Sequence, residues 1–291
     1  MKSGHCALSD KQFLEYKAPV TEIEQTLRTQ ASKLEQSLAM RTMGDARIAV
    51  ADPAYEANTG MFGGWTAALM LKAVLDHPEC AGSASALTVN FVTRVLPGES
   101  LLIRPTRLGE SKSLSHWRAD LYRGQGTELL ASASVVVALR RPSQSAMDFR
   151  VPAASSPDEL SASNPPGAFG RRTETRAFYG HPPFNRADLQ SMTWARENSG
   201  RHIDAVQLAY LSDVYAPRVF HISEGPRPSS TLTMSTYFLA SPEELAAVGD
   251  DYVLSEAEGT RIEHSLVGSR SRLWSRQGTL LATTEQLCWF K

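Results

Sequence analysis

One amide in the second half of the chain lies among largely apolar neighbours. Gln286 falls on the last predicted strand, where alternate residues point to the same side. It therefore shares a face with Leu280, Ala282, Thr284, Cys288 and Phe290. A buried amide without partners costs about 1–3 kcal/mol, so Gln286 is predicted to hydrogen-bond a polar group. The alternative is that this face belongs to an exposed edge, where water would satisfy the amide.

A carboxylate interrupts a second apolar pattern. Asp213 follows Val206 and Tyr210 by seven and three residues on a predicted helix, Ile203–Tyr215, that is apolar nearly all the way round. There it is either buried with partners, because buried charges need compensation, or solvated at an open helix end. A partnered carboxylate could accept a proton from water. Thr231 begins a later strand, and the alternation leaves its direction open.

A glycine pair opens the other apolar helix, predicted from about Phe62 to Leu75. The first N–H groups of a helix lack intrahelical partners. Gly63, Gly64 and Trp65 could therefore bind a substrate oxygen that becomes negative during a reaction. Alternatively, the two glycines only allow a tight helix entry and close packing.

An internal repeat divides the chain into equivalent halves. The strand ALTVNF in the first half matches TLTMST in the second, and RGQGTELLASAS matches RQGTLLATTE. In each half a glycine-containing turn leads into the last strand, which is typical of a hairpin. The repeat pairs Thr231 with Ala86 and Gln286 with Val135, so the amide occurs only in the second copy.

This organisation predicts an α+β fold of two tandem units, each an antiparallel sheet wrapped around one buried helix. The predicted divisions are an N-terminal extension (1–40), a first unit (41–140), a Pro/Ser-rich linker (141–175) and a second unit (176–291). We expect the two sheets to join edge to edge, since this removes two exposed edges. We also expect a homo-oligomer, a dimer in the simplest case, because other edges or faces remain.

Four short segments, in their order, resemble a known family. They are MFGGW (61–65), LTVNFV (87–92) with Pro97-Gly98, LSDV (211–214) and LLATTEQ (280–286). This pattern is similar to the thioesterase-like superfamily with a double hotdog fold, and within it to the acyl-CoA thioesterase II family. The resemblance covers about residues 45–140 and 190–291. It implies hydrolysis of acyl thioesters in fatty acid or polyketide metabolism, with Asp213, Thr231 and Gln286 as the catalytic set.

The chemistry implied by that resemblance needs no covalent nucleophile and no cofactor. Asp213 would accept a proton from water, while Thr231 and Gln286 would hold that water in line for attack. The thioester could be carried by coenzyme A or by an acyl carrier. Two alternatives stay open: a hydratase or dehydratase on the same fold, and a non-catalytic protein that binds acyl ligands.

Composition excludes several other classes. With 30 basic and 31 acidic residues, the net charge is −1, which gives no footprint for nucleic acid. No apolar run approaches the roughly 18 residues of a membrane helix, and no secretory signal is recognisable, so we expect a cytoplasmic protein. Three cysteines without CxxC spacing and histidines without paired spacing predict no metal site. GxSxG, GxGxxG and P-loop motifs are absent from the sequence.

Overall fold

The computed structural model describes residues 33–291, and their first half forms one helix-and-sheet unit. A short helix precedes two strands, a long helix and four further strands. These elements are α1 (Lys33–Ser37), β1 (Arg41–Met43), β2 (Ala46–Val50), α2 (Gly63–Leu75), β3 (Ser83–Phe91), β4 (Ser100–Glu110), β5 (Leu114–Arg123) and β6 (Glu128–Ala138).

The second half repeats this arrangement with a shorter central helix. Its elements are β7 (Thr173–Tyr179), β8 (Gln190–Glu197), α3 (Ala205–Leu211), β9 (Ser229–Phe238), α4 (Pro242–Val248), β10 (Val253–Glu263), β11 (Leu266–Ser275) and β12 (Leu280–Phe290). The small helix α4 begins with a capping box formed by Ser241 and Glu244.

All twelve strands belong to one antiparallel sheet, in the order β1-β2-β4-β5-β6-β3-β9-β12-β11-β10-β8-β7. Each position in the first half of this order has its counterpart in the second, so the sequence repeat is visible as a symmetric strand order. The halves join where β3 pairs with β9, with Val89 opposite Met234. The predicted edge-to-edge sheet and the two-unit α+β architecture are confirmed.

The two central helices lie together inside the curved sheet. Helix α2 is buried at nearly every position and has Lys72 as its basic residue near the end. Helix α3 is shorter than the predicted Ile203–Tyr215. It starts late because Asp204 caps it, accepting a hydrogen bond from Gln207 N at 2.8 Å. It ends at Leu211, so Asp213 lies in the turn that follows.

The segments outside the strands differ from the predicted divisions in two respects. Residues 1–32 of the predicted extension lie outside the described residues, but Leu34 and Leu38 are buried in a core cluster that contains residues of both units. The linker packs against both units: Ser155 O accepts a hydrogen bond from Trp194 Nε1 at 2.9 Å, and Phe169 stacks on Phe62 with ring centroids 4.2 Å apart. The linker is therefore part of the folded body.

Candidate active site

The carboxylate of Asp213 joins the two units. Its Oδ2 atom accepts a hydrogen bond from Gly64 N at 2.9 Å, in the first turn of α2. Its Oδ1 atom accepts a hydrogen bond from Gln286 Nε2 at 2.8 Å, on β12. The first unit thus supplies one donor through a helix N-terminus, where N–H groups and the helix dipole favour negative charge. The second unit supplies the other donor and the carboxylate itself.

Burial raises the pKa of Asp213 to about 6, although the hydrogen bonds from Gln286 and Gly64 act in the opposite direction. The residue remains half-buried, so solvent still reaches part of it. No ion pair to Asp213 occurs within residues 33–291. At neutral pH it is therefore mostly an unneutralised carboxylate, with a pKa suited to accepting a proton.

Thr231 reaches the same cluster because of an irregularity in the sheet. Its Oγ1 donates to Gln286 Oε1 at 3.4 Å, and Cys288 Sγ lies 3.6 Å from both oxygens. Between β9 and β12 the pairing skips Leu232, so Thr231 lies opposite Cys288. This bulge turns Thr231 to the inner face, where regular alternation would have placed it outside. Asp213, Thr231 and Gln286 are thus brought together.

The glycine pair of α2 allows the close approach of the second unit. A Cβ atom on Gly64 would lie 2.3 Å from Tyr210 O, and one on Gly63 would lie 2.7 Å from Asp213 Oδ2. A larger residue at position 64 would therefore collide with the backbone, whereas one at position 63 would displace the Asp213 carboxylate. The oxyanion role predicted for Gly64 needs a correction, because its N–H is donated to Asp213. The N–H of Gly63 has no acceptor in the described part of the chain.

Family models account for both halves. The acyl-CoA thioesterase N-terminal domain matches residues 51–138, and the acyl-CoA thioesterase C-terminal domain matches residues 149–290. The chain belongs to the acyl-CoA thioesterase family. It is accordingly a thioester hydrolase with a double hotdog fold, as predicted from the order of its motifs. A comparison with curated proteins yields no match.

Solved structures share this fold over nearly their whole length. A conserved protein of unknown function with hot dog fold from Alicyclobacillus acidocaldarius is 30% identical, with a TM-score of 0.85, over 90% of this chain and 98% of that one. A putative thioesterase II from Thermobifida fusca is 14% identical, with a TM-score of 0.78 and the same coverage. An acyl-CoA thioesterase II from Mycobacterium marinum is 17% identical, with a TM-score of 0.71, over 89% and 96%. The last two show the fold alone.

Trp65 does not fit the substrate-binding role predicted for it in this thioesterase. Its side chain is fully buried, and its Nε1 donates to Ser37 Oγ at 3.1 Å. The indole therefore fastens α2 to α1 inside the first unit and leaves no surface for a ligand. The prediction grouped Trp65 with the glycines because it follows them, but one residue further along a helix points about 100° away.

Two residues that lie beside the candidate site were not predicted from the sequence. Ser269 on β11 lies directly opposite Gln286, and its hydroxyl is 3.2 Å from Tyr215 OH. Tyr215 follows Asp213 by two residues and is half-buried, with the guanidinium of Arg218 5.1 Å above its ring. Only the pairing of β11 with β12 reveals this group, and the sequence gives no signal for that register.

The part of the chain that the structure describes contains neither a candidate metal-binding cluster nor a helix of membrane-spanning length. Within residues 33–291 no group of three or more His, Cys, Asp or Glu side chains could hold a metal ion. In the same range no helix is long and apolar enough to cross a membrane. Cys288 adds no reactive thiolate, since burial raises its pKa to about 11.

Proposed function

We propose that this thioesterase hydrolyses acyl thioesters through a water molecule activated by Asp213. The observation that carries the proposal is the carboxylate itself. It is half-buried, held by Gly64 N and Gln286 Nε2, and has a pKa near 6. Such a group is ionised at neutral pH yet basic enough to take a proton. The substrate we propose is an acyl group on coenzyme A or on an acyl carrier.

In this mechanism Asp213 takes one proton from the water while the oxygen bonds to the thioester carbon. Thr231 and Gln286 hold the water, which fixes its direction of attack. The carbonyl oxygen becomes an oxyanion. When it reforms the double bond, the C–S bond breaks and the thiolate leaves with the proton stored on Asp213. A free acid and a free thiol result, and no covalent enzyme intermediate forms.

The oxyanion needs hydrogen-bond donors that are ready before the reaction. The N–H of Gly63 fulfils that condition, since it lies at the N-terminus of α2 beside Asp213 and is not engaged elsewhere in the described part of the chain. Gly64 acts differently in this proposal: it orients the base. The sequence analysis assigned oxyanion binding to both glycines, whereas in this proposal only Gly63 has that role.

A thiol-release assay tests the proposal directly. A panel of acyl-CoA lengths, together with the same acyl groups on a carrier, should identify the substrate class by its kcat/KM. Asp213→Asn should lower turnover by about 100- to 10,000-fold, because the proton acceptor is lost. Asp45→Asn is the matched control, since Asp45 is an exposed turn residue of the first unit.

Retention of near-full activity by Asp213→Asn, with an unchanged circular dichroism spectrum, would refute the mechanism. An enoyl product in place of free thiol would favour a hydratase or dehydratase. Tight binding of acyl-CoA without turnover would favour a non-catalytic ligand-binding role.

A further inference from the structure

The hydroxyl of Tyr215 has a proton to donate and no acceptor for it. Ser269 is buried, and within residues 33–291 the only hydrogen-bond partner of its hydroxyl is Tyr215 OH, at 3.2 Å. A buried O–H must donate to some acceptor, because leaving it unpaired costs free energy. Ser269 therefore donates to Tyr215, whose oxygen acts as the acceptor. The phenolic proton of Tyr215 then has no acceptor among the described residues.

Two contacts place Tyr215 beside the residues of the proposed catalytic set. Ser269 lies opposite Gln286 in the pairing of β11 with β12, so the two side chains are neighbours on the inner face. The backbone N–H of Tyr215 donates to Asp213 O at 3.1 Å, in the turn that also presents the carboxylate. Tyr215, Asp213 and Thr231 are all half-buried, whereas Ser269 and Gln286 behind them are buried.

Burial raises the pKa of Tyr215 and so keeps the phenol protonated, while a nearby buried cation offsets part of the resulting loss in donor strength. Arg218 is 1% exposed, and its guanidinium donates to the carbonyls of Ala216, Leu189 and Ala257. No carboxylate pairs with it among the described residues. Its centre lies 5.1 Å from the centroid of the Tyr215 ring, and a cation over an aromatic face draws electron density from the ring. Burial lowers the pKa of Arg218 to about 10, which still leaves it charged at neutral pH.

Resting on the proposed function, we infer that Tyr215 is a further catalytic residue that donates a hydrogen bond to the thioester carbonyl oxygen as this oxygen becomes negative. Ser269 and Arg218 are positioning residues: the first occupies the acceptor side of the phenol, and the second polarises it. No proton is transferred by Tyr215. Water adds to the carbon, Asp213 holds the proton, and the phenol only stabilises the charge until the C–S bond breaks. The second unit thereby contributes an oxyanion donor of its own.

The test compares Tyr215→Phe with Ser269→Ala in the full chain. Tyr215→Phe removes only the donor, so kcat for the best acyl-CoA should fall about 100-fold with KM nearly unchanged. Ser269→Ala leaves the phenol in place and should lose less than about tenfold. A trifluoromethyl ketone analogue of the acyl-CoA, whose adduct carries the oxyanion, should bind Tyr215→Phe more weakly by a factor similar to the loss in kcat/KM.

The possible failures are distinguishable. If the wild-type protein releases no thiol from any acyl-CoA or acyl carrier, the proposed function fails. If Asp213→Asn is inactive while Tyr215→Phe keeps kcat within about threefold, a loss too small for an oxyanion donor, only the inference fails. A shift in the acidic limb of the pH profile of Tyr215→Phe, with unchanged binding of the ketone, would mean that the hydroxyl serves Asp213 and would also overturn it.

Discussion

The inner faces of the two sheets differ in polarity. On β6 and β3 of the first unit, Val135 and Leu87 are fully buried and apolar, and Trp117 on β5 extends the same layer. The equivalent strands of the second unit, β9, β12 and β11, also bury apolar side chains such as Met234 and Leu273, but they carry six buried polar ones: Thr236, Ser269, Ser271, Ser275, Thr284 and Gln286. Strand order and topology are the same on both sides of the junction.

The two units therefore make different contributions to the candidate site. The second unit carries the carboxylate, the amide and the hydroxyls. The first contributes a rigid apolar body and the N-terminus of α2, whose Gly64 N–H reaches a carboxylate 149 positions further along the chain. A site of this kind depends on both units, although the interior of the first unit is largely apolar.

The largest effect on stability should come from removing the charge of Asp213. Because its pKa is raised, the folded state binds the proton more tightly than the unfolded state, and stability falls as pH rises from about 4 to above 6. Asp213→Asn cannot lose stability in this way. Relative to wild type, the stability of the variant should therefore rise by about 3 kcal/mol from low pH to pH 8, with roughly half of that rise reached by pH 5. A loss independent of pH is superimposed on this rise, because an Asn amide cannot accept hydrogen bonds from both Gly64 N and Gln286 Nε2. Urea unfolding at these pH values measures this, and a relative stability that falls with rising pH would contradict it.

The next largest expected effect is on catalysis, and it comes from replacing Gln286 by valine, the residue at the equivalent position 135 of the first unit. Gln286→Val removes the donor to Asp213 Oδ1 and the proposed hydrogen bond to the attacking water. We therefore expect about a 10- to 100-fold loss of kcat/KM at pH 7. A hydrogen bond to the charged form lowers a pKa, so losing it should raise the pKa of Asp213 above 6. The acidic limb of the pH–rate profile should move to higher pH.

Thr231→Val provides the contrast to Gln286→Val, because Thr231 contacts Gln286 and has no bond to the carboxylate in the described residues. It should lose activity without moving the acidic limb. Identical pH profiles for Gln286→Val and wild type would show that the amide does not support the charge of Asp213.

The reverse exchange should affect folding and leave chemistry intact. Val135→Gln places an amide between Leu87, which is apolar, and Trp117, whose indole N–H already donates to Ser115 Oγ at 2.9 Å. The free energy of unfolding should fall by about 1–3 kcal/mol beyond the loss in Val135→Met, which has similar bulk without the amide. Thiol release by the folded protein should remain near wild type. Equal losses in both variants would show that size alone matters there.

Gln286 and Asp213 could be predicted because each breaks a local apolar pattern, and such patterns are visible in one sequence. The direction of Thr231 could not, since the bulge at Leu232 depends on pairing with β12. The task of Gly64 was also hidden, because its partner is distant in the chain. Tyr215 escaped notice for the same reason: its significance depends on the register that places Ser269 beside Gln286.

The smallest expected effect is on the free energy of unfolding, and it concerns two buried hydroxyls without hydrogen-bond partners in the described part of the chain. Thr284 and Thr236 face each other across β12 and β9, both are buried, and neither Oγ1 has a hydrogen-bond partner among residues 33–291. Valine has the same shape without the polar atom, so Thr284→Val should raise the free energy of unfolding by about 1 kcal/mol.

Thr173→Val is the matched control. Its hydroxyl is bonded to Phe169 O at 3.1 Å and to Tyr210 OH at 2.6 Å, so that substitution should destabilise the protein. If Thr284→Val is instead destabilising, the hydroxyl must be paired in solution, and the polar face of the second unit would be held by bound water.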